Sequence, residues 1–137
     1  MSRIIMDAGP LVAWLCPRDE HHAWAVNTLA PLPAGGLVCE AVLAEACHLV
    51  ARDGVEPDRV LEFVERGALA LAPLVGEIPS LRQLMSRYRD VGMDFGDACV
   101  VRLAELHPDG QVCTTDTDFR VYRRLGKEVI PLLAPFA

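Results

Sequence analysis

Along this chain, short runs of consecutive apolar residues alternate with longer stretches in which apolar positions recur every three or four residues. The short runs fall at 2–6, 36–39, 68–72, 111–114 and 128–132, each bounded by Gly, Pro or Asp, and each reads as a buried β-strand. The periodic stretches predict helices over 9–15, 21–29, 41–51, 57–65, 77–89 and 96–106. Pro10, Pro57, Pro79 and Pro108 sit at the expected helix starts or stops, where a missing N–H does least harm. Short apolar strands alternating with helices imply a mainly parallel sheet of about five strands covered on both faces, a three-layer α/β/α sandwich. No repeat, low-complexity tract or linker interrupts the 137 residues, so a single domain spanning 1–137 is expected.

Against this pattern, certain acids stand out. At roughly 100° per residue, the helical neighbours of Glu45 are Ala41, Val42, His48 and Leu49, so a carboxylate interrupts an apolar face. Asp97 repeats the anomaly beside Val100, Val101 and Asp94. An unpaired buried carboxylate costs several kcal/mol or protonates, so each of these acids calls for a cation, either an arginine or a metal ion. Asp7 follows the first strand directly, and Asp116 and Asp118 follow the fourth; ligand sites in parallel sheets lie at such carboxyl ends. Local roles compete with this reading. Asp7 suits a helix N-cap, Asp94 and Asp97 a capping box with Asp in place of Glu, and Asp116-Thr117-Asp118 a turn. Taken together, the acids suit a hard divalent cation, Mg²⁺ or Mn²⁺, which prefers oxygen ligands and bridges carboxylates to substrate phosphates. One or two such ions would support phosphodiester cleavage.

Composition narrows the alternatives. The longest apolar run, 68–75, is far shorter than a membrane span, and no secretory leader is evident, which leads to the expectation of a soluble, cytoplasmic protein with no membrane partner. A net charge of −6 argues against coating nucleic acid by charge alone, unless several of the 19 acids hold cations and so locally invert the sign. Lys127 is the only lysine among 13 Lys and Arg residues, and with Arg120, Arg123 and Arg124 it forms a basic segment that suits a phosphate backbone, or else a solvated face. The five cysteines are an odd number set among apolar residues, which points to buried reduced thiols. Cys47 with His48, and Cys16 with His21 and His22, are the only zinc candidates, and neither has a recognised spacing. Ser2, Ser80 and Ser86 lack a triad context, and no phosphate-binding glycine motif is present.

The ordered set of stretches resembles the PIN-domain family, in particular the VapC-like toxins of toxin–antitoxin pairs. The residues that carry the resemblance are Asp7-Ala8-Gly9-Pro10-Leu11-Val12-Ala13, Asp19-Glu20-His21-His22-Ala23-Trp24, Glu40-Ala41-Val42-Leu43-Ala44-Glu45, Asp94-Phe95-Gly96-Asp97-Ala98 and Thr114-Thr115-Asp116-Thr117-Asp118-Phe119. The resemblance implies a PIN-like fold and a Mg²⁺- or Mn²⁺-dependent endoribonuclease. Asp7, Glu45, Asp97 and Asp116 then match the metal-binding acids, Asp118 a frequent extra acid, Thr114 a hydroxyl beside the last strand acid, and Asp94 a position that is acidic in some members. It also implies a homodimer and a small antitoxin partner. Ala8 departs from the pattern, since many members carry Ser or Thr there.

Three function classes follow. The leading one is RNA hydrolysis by a toxin nuclease, or by a PIN-domain nuclease of RNA processing. A receiver-type or aspartyl-phosphatase domain would need a second acid beside Asp7, and Asp7-Ala8-Gly9 offers none. A catalytically silent binding module with structural acids predicts no metal binding.

Overall fold

The computed structural model describes residues 3–136, so Ser2 of the first expected strand lies outside the described residues. Seven strands and six α-helices follow one another: β1 (Ile4–Met6), α1 (Ala8–Leu15), α2 (His22–Leu29), β2 (Gly36–Val38), α3 (Glu40–Arg52), α4 (Asp58–Glu65), β3 (Leu69–Leu71), α5 (Ile78–Arg87), α6 (Phe95–Leu106), β4 (Gln111–Cys113), β5 (Arg123–Arg124), β6 (Glu128–Val129) and β7 (Leu132–Leu133). Short 3₁₀ turns occupy Arg89–Val91 and Thr117–Arg120.

The main sheet has the order β3-β2-β1-β4-β7, and every pairing in it is parallel. Ile5, Val38 and Val112 are fully buried on these strands, which is why they read as unbroken apolar runs rather than alternating ones. α1 packs against α2, α3 and α4, and α6 packs against α5, α3 and β5. The mainly parallel α/β architecture is therefore as expected. From β1 the chain moves outward to β2 and β3 on one side, and later returns to place β4 and β7 on the other. The crevice at the carboxyl ends of β1 and β4 is thus the switch point at which such sheets bind ligands.

One expected strand needs correction. The run 128–132 does not form a single strand: Glu128 and Val129 turn back on Arg124 and Arg123 as an antiparallel hairpin, and only Leu132–Leu133 joins the main sheet beside β4. Its two ends face different environments, with Glu128 and Val129 exposed and Ile130 buried. After Ile130, Pro131 has no N–H to donate and serves the sheet only as an acceptor, for Val112 N at 2.9 Å. The hairpin turn takes positive φ at Leu125 (54°) and Gly126 (79°), a pair of conformations usually signalled by Asn-Gly and disguised here by leucine. Glu105 on α6 secures the turn by accepting from Leu125 N at 2.8 Å, and pairs with Arg102, which also reaches Glu77. The helix expected over 77–89 stops at Arg87, and the following 3₁₀ turn closes on Gly92 with φ of 87°. No helix among the described residues is long and apolar enough to cross a membrane.

Candidate functional site

Asp7 occupies the N-cap position of α1, yet its side chain makes no capping hydrogen bond. It is only 6% exposed, and Oδ2 accepts instead from Thr114 Oγ1 at 2.7 Å, across the β1–β4 seam. Thr114 is fully buried, and its hydroxyl oxygen accepts from Asp116 N at 3.0 Å, so one side chain ties both strand-end acids together. Asp116 Oδ1 in turn accepts from Asp118 N at 2.8 Å, starting the 3₁₀ turn. Gly9 permits this closeness, because a Cβ there would collide with Thr115 Oγ1.

At α6 the expected capping box forms. Asp94 Oδ1 accepts from Asp97 N at 2.8 Å, while Asp97 Oδ2 accepts from Asp94 N at 3.2 Å. Asp97 nevertheless looks beyond its own helix, since Oδ2 also accepts from the hydroxyl of Tyr122 at 3.2 Å. Glu45 reaches the same place from α3. A Cβ on Gly96 would stand 3.2 Å from Glu45 Oε2, so the glycine lets that carboxylate lie against the first turn of α6, where the helix dipole favours negative charge.

The charges of these acids act on one another. Burial pushes Asp7 up to about 6; the Thr114 hydrogen bond opposes the shift, and the charges of Glu45 and Asp116 reinforce it. Asp97 is pushed up to about 7, again mainly by burial, with Asp94, Asp7 and Asp116 adding repulsion. Glu45 is raised by burial and by Asp94, Asp97 and Asp116. Asp116 thus acts on Asp7, Glu45 and Asp97, whereas the charge of Asp118 acts on Tyr122. No ion pair among the described residues involves Asp7, Glu45, Asp97 or Asp116, so Glu45 is not paired with an arginine among them. Crowded, partly buried carboxylates without a cation suit a hard divalent ion, and their donors are all oxygen. No three His, Cys, Asp or Glu side chains among the described residues are drawn tightly enough to ligate one ion directly. Mg²⁺ does not need that, because it keeps several waters and takes one or two carboxylates.

The basic segment divides. Arg124 is buried, its Nη1 donating to Pro108 O at 2.9 Å and its Nε 3.4 Å from Glu128, so it braces the hairpin from inside rather than presenting charge to solvent. Arg123 donates through Nη1 to the carbonyls of Arg120, Val121 and Tyr122. Arg120 and Lys127 are exposed, with the Arg120 guanidinium 5.1 Å from the ring centroid of Phe136. One member of each zinc candidate group is engaged elsewhere: Cys47 Sγ donates to Pro57 O, and His22 Nδ1 lies 2.7 Å from Ala13 O. Cys16, Cys39, Cys99 and Cys113 are free and buried, as expected, whereas Cys47 is free but only half-buried. Tyr122, fully buried and bonded to Asp97, was not evident in the sequence, where it reads as one more apolar position after Phe119.

Compared by sequence, the chain matches no protein-family model and no curated protein. Compared by structure, it is similar to the crystal structure of Mycobacterium tuberculosis VapC20, described as a sarcin-ricin loop cleaving toxin. The TM-score is 0.75 at 17% identity, and the match covers 86% of this chain and 93% of that one. At that identity the likeness establishes the fold, and it extends over nearly all of both chains.

Proposed function

We propose that this chain is a divalent-metal-dependent endoribonuclease of the VapC toxin kind, cleaving RNA phosphodiester bonds at Asp7, Glu45, Asp97 and Asp116. The observation that carries this reading is the convergence, at the switch point of the sheet, of four carboxylates that repel one another and have no cationic side chain among the described residues to neutralise them. The choice of RNA rests on the fold shared with a toxin that cleaves an RNA loop.

Bound Mg²⁺ or Mn²⁺, one or two ions, would activate a water and stabilise the leaving oxygen. The chain's own residues prepare for this. Thr114 holds Asp7 and the backbone of Asp116 in fixed relation, which limits the reorganisation needed when substrate arrives. Asp97 and Glu45 complete the acidic rim from two helices; Asp94 adds its charge to both while capping α6, and Asp118 shapes the Asp116 turn. Arg120 at the end of that turn, Arg123 on β5 and Lys127 in the β5–β6 loop are assigned to the RNA backbone, with Arg124 as their internal support. A small antitoxin protein and a second copy of the chain are the partners this reading carries, and the cytoplasm is its place of action. A short neighbouring reading frame encoding a DNA-binding antitoxin would bear out the toxin role over RNA maturation.

The test is cleavage of single-stranded RNA with Mg²⁺ or Mn²⁺, with and without EDTA. Cleavage is expected to need the metal and to vanish in Asp7→Asn and Asp97→Asn. Activity that survives both EDTA and these substitutions would sink the mechanism.

A further inference from the structure

We infer that Tyr122 is a positioning residue of the acidic site: its hydroxyl fixes one carboxylate oxygen of Asp97, so that the other oxygen is the one presented to a divalent cation. The inference rests on the nuclease reading above. An aspartate carboxylate turns about its last torsion with a broad, nearly two-fold profile, so nothing intrinsic distinguishes its two oxygens. Here the environment does. Oδ2 of Asp97 accepts from both Asp94 N and Tyr122 Oη, each at 3.2 Å, while Oδ1 accepts no hydrogen bond from the described residues.

The donor is itself held still. Tyr122 is fully buried, its ring meeting Phe119 edge-on at 5.0 Å between centroids and Tyr88 at 5.1 Å. Its backbone N–H donates to Asp118 O at 3.2 Å, which anchors it to the turn that begins at Asp116. One short segment therefore supplies Asp116 and also the group that orients Asp97 from α6. Tyr88 provides an internal contrast: it shares the aromatic cluster, but its hydroxyl accepts from Arg123 N at 2.9 Å, away from the acids.

The test is a Mn²⁺ titration followed by the electron paramagnetic resonance signal of free Mn²⁺, with thermal unfolding beside it, on the wild type, Tyr122→Phe, Tyr88→Phe and Asp97→Asn. Removing an outer partner of a metal ligand typically costs 10- to 100-fold in affinity, so Tyr122→Phe should bind Mn²⁺ about 10- to 100-fold more weakly. Its ring packing is kept, so unfolding should move by only a few degrees, and Tyr88→Phe should bind as the wild type does. Tyr122→Phe binding like the wild type while Asp97→Asn loses Mn²⁺ would overturn the positioning role and leave the nuclease reading intact. An equal loss in Tyr88→Phe would assign the effect to the aromatic cluster and overturn it as well. Absence of Mn²⁺ binding by the wild type, or full binding by Asp97→Asn, would overturn the metal reading and this inference with it.

Discussion

Two helices begin with the same pattern, Asp7-Ala8-Gly9 at α1 and Asp94-Phe95-Gly96 at α6, and their aspartates are used in opposite ways. Asp94 is exposed and caps its helix through Asp97 N, the ordinary local use of an N-terminal aspartate. Asp7 holds the same position but leaves the cap unmade, lies buried, and spends its hydrogen bond on Thr114, a residue 107 positions away. Both glycines serve close approach, Gly9 to Thr115 and Gly96 to Glu45. The contrast shows where stability has been set aside. A cap typically contributes about 1 kcal/mol, and at α1 the Asp7 carboxylate accepts from Thr114 instead.

The largest effect expected from breaking this contrast is in catalysis, within α6 itself. Asp97→Asn should lower RNA cleavage by about 100-fold or more, since a ligand matters more than the outer partners whose loss costs 10- to 100-fold. Asp94→Asn should stay within a few-fold, because Asn caps as well as Asp. Comparable losses in the two variants, read from initial rates, would erase the division of labour.

The Thr114 bond separates Asp7 from an ordinary cap. Thr114→Val keeps the shape and removes the donor, and is expected to weaken Mn²⁺ binding about 10- to 100-fold. Unchanged affinity would mean that Asp7 needs no orientation.

Protonation distinguishes the two aspartates next. Asp7 is raised to about 6 in the folded protein and Asp97 to about 7, both above the unfolded carboxylate range near 4. Between those limits the folded state holds more protons than the unfolded one, so stability of the metal-free protein falls as pH rises from about 4 to about 7. Asp7, being buried, accounts for on the order of 3 kcal/mol of that fall, about half of it between pH 5 and pH 8. Urea unfolding at pH 5 and pH 8 measures it. Asp7→Asn should flatten the slope and saturating Mn²⁺ should offset the loss at pH 8, whereas stability that climbs with pH over this range would contradict the assignment.

The smallest effect is the cap itself. Asp94→Ala should cost about 1 kcal/mol by chemical denaturation, with α6 as the segment that loosens. No loss would mean that the capping box is idle.

Much of this was legible in the chain. Apolar runs marked the parallel strands because β1, β2 and β4 are buried on both faces, and Glu45 and Asp97 showed as acids on apolar helix faces. The use of Asp7 was not legible, because N-cap position and N-cap function look identical in sequence and only the partner across the β1–β4 seam separates them. The surroundings of Arg124 and Tyr122 were not legible for a related reason. Tyrosine and arginine combine an apolar body with a polar tip, and which end matters depends on tertiary neighbours: Pro108 for Arg124, Asp97 for Tyr122. The split of 128–132 turned on Leu125 adopting a positive φ that its residue type conceals.

The most direct test of the central claim is calorimetric titration of Mn²⁺ into the wild type and Asp7→Asn at neutral pH. Saturable binding by the wild type and a flat trace for Asp7→Asn are expected. A flat wild-type trace, or undiminished binding by Asp7→Asn, would contradict it.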